Sequence, residues 1–336
     1  MRRAPSSRVT VAAVCALASL QVALQSSQAE ESGGTFNFLW ENDVVAATDQ
    51  HYTNGLEFSY LSIEDHLWNW FRTGSSVLPG VAREDHLRVG IALGQSIFTP
   101  DNTDATQPLP DERPYAGWLY AGVSVIADHD DQLDTWVLNL GVVGPSAYGE
   151  QVQNGFHDKI HDSHANGWAN QLHDEFGYQL LYEHRWRHVQ SLQKRMGPLQ
   201  LDLSPHLGFS LGNIATYANA GITLRLGKDL SDDYGVPRIR PSLPGSAFFQ
   251  PVDGSGWYVF AGIDGRAVAH NIFLDGNTDG NSLSVDKETF VLDAQAGFAI
   301  IWSKFRFAYT YVVRSHEFKT QQQPDRFGSV GLSARF

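Results

Sequence analysis

The 336-residue chain carries 24 Lys+Arg against 37 Asp+Glu, a formal charge of −13, with 42% apolar and only 18% charged residues. Such a composition belongs to a folded chain and excludes disorder or collagen-like repeats, and its acidic balance excludes general nucleic-acid binding. Nineteen Phe, twelve Tyr and nine Trp in so weakly charged a sequence favour β structure.

In chain order, Arg2, Arg3 and Arg8 precede an apolar stretch from Val9 to Leu24, and the small residues Ser27 and Ala29 close the segment before Glu30. The pattern predicts a signal peptide over residues 1–29, followed by one exported domain over 30–336. A stretch of roughly 16 residues is short for a helical span, which needs about 20. The only cysteine, Cys15, falls in the leader, so the exported domain has no thiolate nucleophile, disulfide or thiolate zinc site.

Beyond the leader the signal is alternation. Twelve segments read as strands, near 34–43, 52–64, 86–98, 116–128, 132–143, 175–190, 198–211, 214–227, 256–270, 286–302, 304–316 and 326–336. In the tenth, Phe290, Leu292, Ala294, Ala296, Phe298, Ile300 and Trp302 make an apolar face, and Val291, Asp293, Gln295, Gly297, Ala299 and Ile301 make a mixed one. Many segments exceed the usual 5–6 residues of a soluble strand and suit a tilted membrane crossing of about 9–11. The turn-rich, Pro-containing stretches 99–115 and 228–255 read as long surface loops.

Alternation alone also fits a soluble barrel or sandwich. Three features favour an all-β, transmembrane antiparallel β-barrel of about twelve strands with a short loop helix. The last strand alternates up to a terminal aromatic, Phe336, as in outer-membrane barrels. Its polar faces carry charges, among them Asp202, Arg225, Asp293 and Arg306, as a hydrogen-bonded lumen permits. Trp257, Tyr258, Trp302 and Tyr311 stand near strand ends, where aromatic girdles form. The expected location is the outer membrane of a Gram-negative bacterium, reached through the barrel assembly machinery.

Two constellations exceed what a barrel needs. Glu41-Asn42-Asp43 ends the first strand and Thr48 to Gly55 opens the second, so the hairpin brings Asn42 and Asp43 close to Thr53 at one rim. Clustered oxygen donors suit a hard cation such as Ca²⁺; ordinary turn chemistry is the other reading. In the stretch from Gly149 to His161, helical spacing puts Val152, Phe156 and Ile160 on an apolar stripe and Gln153, His157 and His161 on the next. The apolar row is expected to dock on the barrel wall, leaving Gln153 and His157 half dry at its edge, where an imidazole can take a proton from water. A loop helix with solvated histidines fits the spacing equally. His157 and His161 lack the glutamate of a His-Glu-x-x-His zinc motif, no Gly-x-Ser-x-Gly elbow is present, and His164 and His173 read as solvent-facing.

Glu41-Asn42-Asp43, Thr48 to Gly55, Gly94 to Pro100, Arg113 to Trp118, Gly144-Pro145 and Gly149 to Asn154 with His157 stand in one order along the exported chain. Together they resemble the outer-membrane lipid A 3′-O-deacylase family. The resemblance implies a twelve-stranded barrel with its site between the outer wall and a loop helix. It also implies Ca²⁺-dependent removal of the 3′-O-linked acyloxyacyl group of lipid A, with lipopolysaccharide as substrate. It places the catalytic histidine on His157, the Asn-Asp pair on Asn42 and Asp43, the threonine on Thr53 and the helix glutamine on Gln153, with Asp43 and Thr53 toward the cation. This chain departs from some members: Thr99 to Ala105 contain no basic residue, and Ser163 and Ala165 stand where a glutamate and a tyrosine occur. A non-catalytic barrel, a pore or an adhesin, is the competing reading.

Overall fold

The computed structural model describes residues 33–43, 51–67, 69–82, 85–129, 131–160, 163–191, 199–228, 230, 234–239, 247–249 and 252–336. The leader, the hairpin tip at Thr48 to Gln50, and His161 lie outside the described residues. Thirteen strands run β1 (Thr35–Asn42), β2 (His51–Leu61), β3 (His86–Thr99), β4 (Ala116–His129), β5 (Gln132–Val143), β6 (Glu175–Trp186), β7 (His188–Ser191), β8 (Leu199–Gly212), β9 (Ala215–Lys228), β10 (Val252–Asn271), β11 (Phe290–Ser303), β12 (Phe305–Arg314) and β13 (Asp325–Arg335). β6 and β7 both pair with β8, so they are two parts of one stave, and the wall has twelve. Every pairing is antiparallel, and β1 against β13, from Thr35↔Arg335 to Asn42↔Gly328, closes the barrel. Closure leaves no unpaired edge in the membrane. The first and last residues of the barrel, at the start of β1 and the end of β13, therefore stand at the same rim, and helix α2 (Gly149–Ile160) stands at the other. Two further helices, α1 (Asn69–Ser75) and α3 (Ile272–Asp275), lie in loops.

The period-two faces separate as the alternation requires. Along β11, Phe290, Leu292, Phe298, Ile300 and Trp302 point outward and are exposed, whereas Asp293 and Gln295 point inward and are buried. The lumen is polar, and its buried charges are paired. Asp293 receives two hydrogen bonds from Arg266, at 2.9 and 3.0 Å, and two from Arg314, also at 2.9 and 3.0 Å. Arg314 and Arg113 both reach Glu317, and Arg225 donates to Asp202. Such fixed, paired charges are tolerated because each guanidinium finds its carboxylate.

Two expectations are corrected. Tyr258 does not belong to an interfacial girdle: its neighbour Trp257 faces out, and Tyr258 is fully buried in the lumen under the Arg225 guanidinium. The stretch 228–255 is not a surface loop, since most of its described residues between the two strands are buried inside the barrel. Tyr234, Val236, Arg238, Ile239, Phe248 and Phe249 are all under 8% exposed. Lumenal side chains bind its backbone: Asn37 donates to the Ala247 carbonyl at 2.8 Å, Arg306 to that of Phe248 at 3.3 Å and Arg185 to that of Tyr234. Arg238 in turn reaches Glu41 and Gln295. The segment is polar enough to read as a loop, yet its aromatics and arginines match a lumen built of charges and carbonyl acceptors.

Candidate active site

The site is assembled on the outside of the wall, at the rim away from the chain ends. β1 turns Phe36, Phe38, Trp40 and Asn42 outward, and its register with β2 sets Asn42 opposite Asn54. Between Tyr52 and Asn54 the β2–β3 register slips by one residue, so Thr53 is the extra residue of a bulge. A bulge re-aims its side chain, and the Thr53 hydroxyl meets that of Thr99 at 2.7 Å. The Asn42 side-chain amide donates to the Thr53 carbonyl at 2.9 Å and to Asn54 Oδ1 at 3.3 Å, which also accepts from Trp40 Nε1 at 3.0 Å. With its nitrogen so committed, Asn42 has its Oδ1 as acceptor.

Helix α2 is laid over this corner by three anchors. The turn Pro145–Ala147 precedes it, and Gln95 of β3 donates to the Ala147 carbonyl at 2.6 Å. Asp174 accepts from the Ser146 amide at 2.8 Å and its hydroxyl at 2.7 Å. Gly117 of β4 supplies the seat: a Cβ there would stand 3.0 Å from the Ala147 Cβ and 3.3 Å from the Gly149 nitrogen. Glu150 in the first turn and Lys159 in the last match the helix dipole. Gly117→Leu is expected to lift the helix off the wall. The barrel should still show its heat-dependent gel shift, while any activity of the site falls about a hundredfold, the order of loss that a misplacement near 1 Å brings.

The helix meets the wall differently from the sequence expectation. Gln153 and His157 are the buried row, at 3% and 4% exposure, whereas Val152 and Phe156 are only half buried. The reason is the segment behind them. Trp168, fully buried against Tyr115, donates its indole N–H to Gln153 Oε1 at 2.8 Å. Asn154 clasps the backbone of Ala165, accepting its N–H at 2.9 Å and donating to its carbonyl at 3.3 Å. The Ser163 carbonyl then accepts a hydrogen bond from His157 Nδ1. A carbonyl only accepts, so Nδ1 carries the proton and Nε2 keeps its lone pair.

Asn42, Asp43, Thr53, Gln153 and His157 all line one cavity of about 280 Å³ between wall and helix. Its remaining lining is Asn54 and the apolar Phe38, Trp40, Leu56, Val152 and Phe156, with Trp40 and Phe156 meeting edge to face at 6.5 Å. Asp43 is fully buried, and the Gln153 Nε2 is a buried donor with no acceptor. Oxygen donors of this kind, a carboxylate with an amide oxygen and a hydroxyl, fit a hard cation. His164 is exposed and pairs with Asp158 at 2.7 Å, and His173 is exposed. Four contributors were not evident from sequence: Trp168, Thr99, the Asn154 clasp and the Ser163 carbonyl. Of these only Trp168 left a signal, as a lone large aromatic in an otherwise polar stretch.

A closed barrel whose outward faces are apolar and whose rim carries a built polar cleft defines an outer-membrane protein with a site facing the lipid. The chain belongs to the Outer membrane protein LpxR family, whose model matches residues 11–336. Among solved structures it is similar to LpxR from Salmonella typhimurium, with a TM-score of 0.71 at 19% identity over 90% of this chain and 100% of that one. The β domain of the Bordetella autotransporter BrkA aligns with a TM-score of 0.45 at 10% identity, covering 91% of this chain and 100% of that one. Comparison with curated protein sequences gave no match.

Proposed function

We propose that the protein is an esterase that removes the 3′-O-linked acyloxyacyl group of lipid A by histidine-activated water. The observation that carries this reading is the single cavity on the outer wall that gathers His157, Gln153, Asn42, Asp43 and Thr53 behind an apolar mouth. An acyl chain lying along the exposed wall at Phe36 and Phe58 reaches that mouth without leaving an apolar surface. The ester carbonyl follows it in.

Chemistry then falls to the chain's own groups. His157 Nε2 takes a proton from water, and the water oxygen attacks the carbonyl carbon. The unmatched amide N–H of Gln153 is available to the oxygen that becomes negative, at no cost in reorganisation because Trp168 already holds the side chain. Collapse breaks the C–O bond, and the imidazolium gives its proton to the departing sugar oxygen, which leaves as a hydroxyl. Asp43, with oxygens of Asn42 and Thr53, would hold Ca²⁺, whose charge polarises a carbonyl oxygen. Against the alternative of an open channel stand the described side chains of the β9–β10 connection, which are buried in the lumen.

Mass spectrometry of lipid A from Gram-negative cells expressing the protein tests the reading. Loss of the mass of one acyloxyacyl group is expected with Ca²⁺ present, and an intact lipid A after chelation of divalent ions. Unchanged lipid A under both conditions, from a barrel shown to be folded by its gel shift, overturns it.

A further inference from the structure

At the rim of the chain ends, four outward-facing positions are covered although they belong to the lipid-facing wall. Leu87 of β3 pairs with Ala127 of β4, which pairs with Asp134 of β5, and Trp136 keeps step with Leu138 and Leu140. Leu138 and Leu140 are each 43% exposed, whereas Leu87, Ala127 and Trp136 are 0%, 1% and 9%. What covers them is the turn between β2 and β3, which carries α1. Leu67, Leu78 and Val81 of that turn pack on Leu87, Ala127 and Trp136, and the Trp136 indole donates to the Pro79 carbonyl at 2.9 Å. Trp136 lies four residues into β5, about 13 Å along the strand. The turn therefore runs beside the wall and not beneath it.

The outer side of this turn has the chemistry of a bilayer interface. Trp70 is 68% and Val77 80% exposed, and Phe71 stands beside Trp70 at 5.8 Å between rings. Between Asn69 and Ala82 the only charged residue is Arg72, and it is paired with Asp65 at 2.6 Å and donates to the Asp85 carbonyl at 3.0 Å. A face bearing a tryptophan, whose one charged side chain is paired, matches the headgroup level of phospholipid. Under the turn lies a carboxylate that lipid would not tolerate bare. Asp134 accepts from the Tyr182 hydroxyl at 2.6 Å and from His184 Nδ1 at 2.9 Å, and Gly80 is pressed so closely on it that a Cβ would clash.

We infer that the β2–β3 turn is a membrane-interface anchor, inserting Trp70 and Val77 into the phospholipid leaflet and shielding Asp134 from the acyl chains. The inference is independent of the esterase reading. It is tested in a Cys15→Ala background by a nitroxide label at Val77→Cys, in phospholipid vesicles, with labels at Leu138→Cys and Asp279→Cys as lipid and water standards. Expected is a ratio of oxygen to water-soluble nickel collisions on the Leu138 side. A ratio matching Asp279, including one caused by a soluble partner site facing the aqueous phase, overturns the anchor. Brominated phospholipid provides a check without a label: the wild type should lose more fluorescence than Trp70→Phe, and equal quenching counts against insertion.

Discussion

His157→Ala is expected to leave a barrel with an unchanged heat-dependent gel shift and to lower the rate of lipid A deacylation about 10²–10⁴-fold, the range a positioned general base contributes. The size of the effect follows from how completely the ring is committed. Nδ1 donates to the Ser163 carbonyl, and Ser163 is held near by the two-point grip of Asn154 on Ala165. One tautomer is thereby fixed, with its basic nitrogen available for water. No other described histidine lines the cavity, so no neighbour can take over. Lipid A from cells carrying the variant should show the full complement of acyl chains by mass spectrometry. Cleavage at the wild-type rate would remove His157 from the chemistry and leave the helix a purely structural element.

Gln153→Glu should lower kcat about 10²–10³-fold with little change in KM, the loss seen when one donor to a developing oxyanion is removed. This substitution is informative because it keeps the shape and the oxygen that accepts from Trp168. It replaces the buried N–H donor, which has no acceptor in the free protein, by a carboxyl oxygen. An unsatisfied buried donor is costly in itself, on the order of 1–3 kcal/mol, and such a cost is understandable where the acceptor arrives with the substrate. Gln153→Leu loses both contacts and should add a fall in thermal stability to the fall in kcat. Steady-state kinetics on purified protein with a defined lipid A separates the two. A Gln153→Glu variant with raised KM and unaltered kcat would show that the side chain serves ground-state binding instead.

How much of this was legible in the letters depends on the range of the interactions. Strand positions were legible because period two is a local property: Phe290 to Trp302 declares its two faces without reference to any other segment. The hairpin corner was legible for the same reason, since β1 and β2 are neighbours in sequence and register places Asn42 opposite Asn54. The bulge at Thr53 was not, because it is a relation between β2 and β3 and has no glycine to announce it. Helical spacing put Gln153 and His157 on one row, but which row is buried was decided by Trp168 and Ala165, brought back over the helix by the chain that follows. Tyr258 shows the limit of reading girdles from position. One residue of register separates a membrane-facing tryptophan from a lumenal tyrosine.

The connection between β9 and β10 carries a consequence for the cell. Its residues Arg238 and Ile239 climb far enough to bond Glu41, one position before the Asn42–Asp43 corner, so the connection occupies part of the lumen. Copies of this protein are therefore expected to add area to the bilayer with little added ion conductance, and planar-bilayer recording of the purified barrel checks it: steady, wide openings would show that solutes pass the connection.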